Sequence, residues 1–310
     1  MKKDQILVVA GPTAVGKSAA ALRLAEELDG EIVSCDSMQL YRYMDIGSAK
    51  PTAEERQRVR HWLVDEIDPR TPITAARYRE MARAAIFDIL SRGRLPVIVG
   101  GTGLYLNALL YEMDFGPAGA DPALRQRLEE IAAEEGGEAL HARLTRLDPE
   151  AAQRIHPHNI KKLIRALEAA ESGGRIGAFS TVREKVKDYE PLLIGLKRDR
   201  QELYQRIDAR VLRLVEQGLF AEVAALMAKG LDENDQAMKG IGYKEIIAYY
   251  HGRIDRETAI AEVQKNTRHY AKRQMTWFRR YEDMRWFDLS AAVSEEAAVE
   301  EILDWVRRNR

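Results

Sequence analysis

The stretch from Ile6 to Leu28, ILVVAGPTAVGKSAAALRLAEEL, limits the fold more than any other part of this chain. Ile6 to Val9 is a short continuous apolar run, the mark of a strand covered on both faces. A glycine-rich turn follows, and then a helix. The turn fits G-x-x-x-x-G-K-[ST] at Gly11, Gly16, Lys17 and Ser18. A strand before and a helix after are the context in which that pattern has chemical meaning. Glycines let successive backbone N–H groups turn inward around an anion. The helix start adds free N–H groups and the positive end of its dipole. Lys17 offers a cation to phosphate oxygens, and the Ser18 hydroxyl can hold Mg2+, the one cofactor expected. The loop Gly11, Pro12, Thr13, Ala14, Val15, Gly16, Lys17 and Ser18 is therefore read as a site for a di- or triphosphate. The plain alternative is an ordinary strand–turn–helix with a coincidental match.

The rest of the chain places this unit in a larger sheet. Glu31 to Cys35 reads as a second strand ending at Asp36. Arg77 to Ser91 has helical apolar spacing and leads to a third strand, Leu95 to Val99, which ends in Gly100-Gly101-Thr102-Gly103. Alternating strands and helices predict an α/β fold, a doubly wound parallel sheet with ligands beyond the carboxyl ends of its strands. Asp36 and Thr102 fall on that edge with the glycine loop. At Gly116-Pro117-Ala118-Gly119 the texture changes to helices only, with Asp121-Pro122 and Asp148-Pro149 as N-cap signals. A strand returns at Leu192 to Leu196, followed by a helix with Arg206 and Arg210. The expected organisation is residues 1–115 as the first part of the core, 116–188 as a helical insertion, and 189–310 as core continuation and C-terminal helices.

Charge decides little globally. Charged residues make up 31% of the 310-residue chain, yet the net charge is −1, so any nucleic-acid surface must be local. One local excess stands out. KNTRHYAKRQMTWFRRY, from Lys265 to Tyr281, holds Lys265, Arg268, Lys272, Arg273, Arg279 and Arg280 with no acid among them. Tyr270, Trp277 and Phe278 are interleaved. Such a helix either contacts a phosphate backbone or is a solvated face with its aromatics in the core. No apolar run approaches ~18 residues, so no membrane span is expected. The chain passes at once into its first strand, leaving no room for a signal peptide. A single cysteine, Cys35, fits a reducing compartment, and a cytoplasmic monomer is expected. No apolar strand ends in an acid placed for nucleoside triphosphate hydrolysis, which disfavours a motor or switch GTPase. The six histidines lack metal-ligand spacing.

Several motifs together resemble the tRNA dimethylallyltransferase family. They are GPTAVGKS, SCDSMQLYRYMDIGSAKP (Ser34 to Pro51), VGGTGLYLNALL (Val99 to Leu110), IHPHNIKKLIRALE (Ile155 to Glu168), KGIGYKE (Lys239 to Glu245) and TRHYAKRQMTWFRR (Thr267 to Arg280). They span nearly the whole chain in the family's order. The resemblance implies an enzyme that moves a dimethylallyl group from dimethylallyl diphosphate to the exocyclic amine of the adenosine just 3′ of a tRNA anticodon. The glycine loop would then grip a diphosphate leaving group, aided by Arg210 at the matching family position. Asp36 is the best general base for the amine, and Thr102 a positioning group. Ser37, Met38 and Gln39 would hold the extruded nucleotide. Arg125 and the run Lys161, Lys162, Leu163, Ile164 and Arg165 would grip the anticodon stem, with Lys272 and Arg273 on the basic helix.

The chain departs from the family pattern in places. Trp62 stands for a usual His, Ile160-Lys161-Lys162 for x-Arg-Arg, Ser172-Gly173-Gly174-Arg175 for Thr-Gly-Lys-Pro, and Ser48 for Thr. Lysine keeps the charge of arginine but loses its bidentate fork. Two other readings stay open at this point: a phosphate-loop kinase for a small metabolite or nucleotide, and a non-catalytic RNA-binding protein. Phosphate transfer from ATP would mark the first. The joint presence of Lys17, Asp36 and Arg210 argues against the second.

Overall fold

Runs of aliphatic residues become strands of one parallel sheet, in the order β3-β2-β4-β1-β5-β6. The strands are β1 (Gln5–Ala10), β2 (Gly30–Cys35), β3 (His61–Trp62), β4 (Leu95–Gly100), β5 (Glu190–Lys197) and β6 (Arg285–Asp288). The structure is a computed structural model and describes residues 4–113, 115, 121–171 and 184–310. The helices are α1 (Lys17–Glu27), α2 (Ala53–Arg58), α3 (Ala75–Ser91), α4 (Gly103–Leu110), α5 (Pro122–Glu134), α6 (Gly137–Leu147), α7 (Pro149–Arg154), α8 (Ile160–Glu171), α9 (Arg200–Glu216), α10 (Leu219–Ala228), α11 (Tyr243–Tyr250), α12 (Arg256–Phe278) and α13 (Glu295–Asn309).

The larger unit comprises residues 1–110 and 186–310. Leu7, Val9, Val97, Ile194 and Leu196 join Leu24 of α1, Ile207 of α9 and Ile302 of α13 in one apolar cluster. Their neighbours Ile6, Val8, Val33 and Ile98 are also buried, and α3 packs on β2 and β4 with residues outside that cluster. Both faces of the sheet are thus covered, as a continuous apolar strand requires. Each such side chain contributes about 1.5–3 kcal/mol by leaving water, so the central strands hold the frame rigid.

Register then fixes the site. Ala10 pairs with both Gly100 and Gly195, and Cys35 pairs with Gly100. The four strand ends are level, so the residues that follow, Gly11, Asp36 and Gly101, emerge along one edge. β3 and β6 were not expected from the sequence. A two-residue strand has too little pattern to see, and β6, RWFD, carries a charge at each end and extends the sheet only as an edge.

The smaller unit spans Tyr111–Lys185 rather than 116–188, because Tyr111 and Lys185 close its base in an antiparallel bridge. The expected hinge at 116–119 and the Ser172–Arg175 departure lie outside the described residues. Asp121 and Asp148 cap α5 and α7 with proline at the first turn of each, as their sequence predicts. Leu128, Leu140, Leu144, Leu163 and Leu167 form this unit's own core. No helix among the described residues is long and apolar enough to cross a membrane.

Candidate active site

The glycine loop leaves β1 with Gly11 at φ 153° and enters α1 through Gly16 at φ 114°. Both angles favour glycine and curl the loop over the strand end. Its carbonyls are held from outside. Arg206 Nε donates to Ala14 O at 3.1 Å and Arg198 Nε to Val15 O at 2.9 Å. Glu295, at the start of α13, accepts from both guanidiniums at 2.5 and 2.9 Å. Carbonyls drawn outward leave the loop's N–H groups facing the cavity. Two N–H groups are already used: Thr13 N–H donates to Gln274 Oε1 at 2.8 Å and Val15 N–H to Pro12 O at 3.4 Å. Thr13 is therefore a tethered member of the loop, and the open N–H groups begin beyond Val15.

A cavity of about 310 Å³ opens in front of the loop. Lys17, Ser18, Asp36, Gly101, Arg210 and Tyr270 line it, and it runs on past Ala21 and Ile32 to His61. Lys17 Nζ donates to Pro12 O at 2.7 Å and has no carboxylate within salt-bridge reach among the described residues. Enclosure, with the positive charge of Arg210 second, pulls its pKa down to about 7, while Asp36 and Cys35 push it up. Burial also lowers Arg210, with Asp36 opposing. Arg210 makes no hydrogen bond or ion pair with any described residue. Two cations without ion pairs thus share the cavity with Asp36, the carboxylate that acts on both, and this part of the cavity favours an anion.

Binding an anion must raise Lys17 back toward its ordinary value. The sign follows: affinity is greatest below pH 7 and weakens as pH rises through 7. At pH 8 inorganic diphosphate should take up about one proton per site. Calorimetry in two buffers of different ionisation heat reads this uptake. Subtracting a Lys17→Met variant removes the ligand's own protonation, and equal uptake by both proteins would refute the assignment.

The other predicted groups are brought to the same edge with distinct tasks. Asp36 Oδ1 accepts from Met38 N–H at 2.9 Å, an Asx turn that leaves its second oxygen open. Thr102 Oγ1 accepts from Ser37 N–H at 3.1 Å and so supports the Ser37 backbone. Gln39 accepts from Ser34 Oγ at 2.8 Å and donates to Ala49 O at 3.2 Å, which commits its amide to the loop. Met38 packs on Gly240 of the Lys239–Glu245 motif. Cys35 is buried and its thiol is pushed up to about 12, mainly by burial, so it is no nucleophile. Ser18 makes no side-chain hydrogen bond among the described residues. With Asp36 it gives the cavity the hard oxygen donors that suit Mg2+.

Of the basic run, Lys265 pairs with Glu262 and Arg268 with Asp208. Lys272, Arg273, Arg279 and Arg280 are exposed. His269, Lys272, Arg273, Thr276, Trp277 and Arg280 line an open groove of about 520 Å³. Phe278 is fully buried, so it serves the core and cannot stack on a base. On α8, Lys161, Lys162 and Arg165 are exposed, but Leu163 and Ile164 are buried in the core of the smaller unit. These two are therefore removed as RNA contacts: the helical period turns them inward. Arg125 is held in a two-pronged pair with Glu168 at 2.7 and 2.8 Å. Trp62 donates to Glu31 at 2.8 Å, near the start of β2. Local sequence carried no signal for Arg198, Glu295 or Gln274 as partners of the loop.

A parallel sheet with a glycine loop and an unpaired lysine and arginine at its carboxyl edge defines an α/β protein that handles anionic ligands at strand ends. The IPP transferase family model matches residues 39–281. A tRNA dimethylallyltransferase of Alkaliphilus oremlandii is 47% identical over 302 residues, covering 97% of this chain and 96% of that one. One from Clostridioides difficile is 43% identical and covers 99% of each. The solved tRNA isopentenylpyrophosphate transferase of Bacillus halodurans aligns with a TM-score of 0.74 at 41% identity, covering 99% of this chain and 96% of that one. A eukaryotic dimethylallyltransferase solved acting on tRNA aligns at 0.84 and 25% identity, covering 99% and 80%. The chain belongs to the IPP transferase family and is a transferase.

Proposed function

We propose that this enzyme moves a dimethylallyl group from dimethylallyl diphosphate to the N6 amine of the adenosine just 3′ of a tRNA anticodon, releasing diphosphate. The activities of its relatives support tRNA prenyl transfer over phosphoryl transfer to a metabolite. The observation that carries the reading is the pair of cations, Lys17 and Arg210, left without carboxylate partners over the glycine loop. In the transfer, the bond from the allylic carbon to the diphosphate oxygen breaks, and charge builds on that oxygen. Lys17, Arg210 and the loop N–H groups beyond Val15 are fixed in advance to meet that charge. Mg2+ held through Ser18 would neutralise diphosphate oxygens.

The amine forms the new C–N bond and gives up a proton. The open oxygen of Asp36 accepts it, the other being fixed by Met38 N–H. The adenosine must leave its stack to reach this edge, where Ser37 and Met38 flank it. Lys272 and Arg273 on α12, and Arg125, Lys161, Lys162 and Arg165 on the helical unit, supply phosphate contacts. The reaction's RNA substrate and the single buried cysteine support a cytoplasmic enzyme, and no step calls for a second copy. The direct test is incubation with labelled dimethylallyl diphosphate and unmodified tRNA. Label in the RNA is expected, and label only in free phosphates would refute the proposal.

Phosphate contacts release counterions, so tRNA affinity should fall steeply with salt. A Lys272→Ala/Arg273→Ala double variant should lower the log–log salt slope by ~0.7–0.9 per removed charge. Diphosphate affinity should stay as it was. Three salt concentrations suffice for the comparison, and an unchanged slope would count against α12 as the RNA surface.

A further inference from the structure

One face of α12 carries Tyr270, Gln274 and Trp277, one helical turn apart in succession. All three lie against the turn Gly101-Thr102-Gly103. The Tyr270 hydroxyl donates to Gly101 O at 3.5 Å, Gln274 Nε2 donates to the same carbonyl at 2.9 Å, and the Trp277 ring presses on Gly103. The approach is tight: a Cβ on Gly101 would stand 2.1 Å from Gln274 Nε2. The other end of the same amide accepts from Thr13 N–H at 2.8 Å. Gln274 is buried, at 5% exposure. Its amide therefore spans the glycine loop and the turn whose Thr102 supports Ser37. The exposed basic residues adjoin this face: Arg273 lies over the Tyr270 ring and Arg280 over Trp277.

We infer that Gln274 is a positioning residue shared by the two substrates: one side chain fixes the donor's loop relative to the turn that supports the acceptor's segment. This rests on the reading of the cavity as a prenyl-transfer site. An amide is suited to the task, since it accepts at one end and donates at the other. Misplacing reacting groups by ~1 Å costs on the order of 10²-fold in rate. The loss therefore falls on the chemical step and less on binding.

The test is single-turnover prenyl transfer with both substrates saturating, in wild type and Gln274→Met. The variant is expected to be slower by about 10- to 100-fold, with KM for either substrate within about threefold of wild type. Phe278→Leu is the control for stability alone: it weakens the same helix from its core side and should keep the wild-type rate. If Gln274→Met does not fold, Gln274→Glu decides. When protonated, the substituted carboxyl can donate to Gly101 O and accept from Thr13 N–H as the amide does. When ionised it cannot donate. Its rate relative to wild type should be low at pH 8 and recover as pH falls. A Gln274→Met rate within twofold of wild type overturns the inference, as does a Gln274→Glu rate that is normal at pH 8 or low at every pH. Wild-type protein that transfers no prenyl group would overturn the reading of function instead.

Discussion

Asp36→Asn lowers single-turnover prenyl transfer by ~10²–10⁴-fold, the range for loss of a general base. The substitution is well matched to the geometry. Asparagine Oδ1 can still accept from Met38 N–H, so the Asx turn that shapes Ser37 to Gln39 survives. Only proton acceptance and one negative charge are lost. Affinity for tRNA should therefore change little, which filter binding or fluorescence anisotropy would establish. The opposite pattern, in which tRNA binding collapses and single-turnover chemistry survives, would recast Asp36 as a binding residue. The charge has a second duty, because Asp36 holds up the pKa values of Lys17 and Arg210. Rates are best compared at pH 6.5, where this effect on Lys17 is smallest.

Lys17→Ala lowers prenyl transfer by ~10²-fold or more, the scale for removing one group aimed at developing charge. Lys17 is fixed by the chain at the first residue of α1, and its ammonium rests on Pro12 O until an anion arrives. In the variant Arg210 is the cation of the cavity lining left without an ion pair, since Lys50 is held by Asp45 and Asp65. The loss should appear in both inorganic diphosphate affinity and turnover, with tRNA affinity unmoved. Normal turnover in this variant would sink the assignment of the loop to the leaving group.

The parts of the site legible in the sequence are those whose geometry is local. The glycine loop is encoded within eight residues, and Asp36 follows its strand directly. Level strand ends then bring Gly101 and Thr102 to the same edge, which strand–helix alternation already implied. What escaped is tertiary. Gln274 meets Thr13 across 261 residues of sequence and Arg206 meets Ala14 across 192, and no periodicity announces such bonds. Leu163 and Ile164 were drawn into the RNA-contacting run by their charged neighbours. On α8 the 3.6-residue period separates them, sending Lys161, Lys162 and Arg165 outward and the two aliphatics into the core. The aromatics of α12 divide in the same way. Phe278 belongs to the interior, and Trp277 lies on Gly103. The short strands β3 and β6 were hidden because an edge strand of a few residues carries almost no alternation.

The strand order has a consequence for how this protein is made. β1 sits between β4 and β5, so its partners are residues 95–100 and 190–195. The strand that launches the glycine loop leaves the ribosome before both of its neighbours. It then waits through some ninety residues for one neighbour and through another ninety for the second. Until then one of its edges is an open template of unpaired amides and carbonyls. The braces Arg198, Arg206 and Glu295 emerge later still. A growing chain thus carries its most apolar strand, Ile6 to Ala10, incomplete for most of its synthesis, and late-closing contacts of this kind make folding slow and expose intermediates to aggregation.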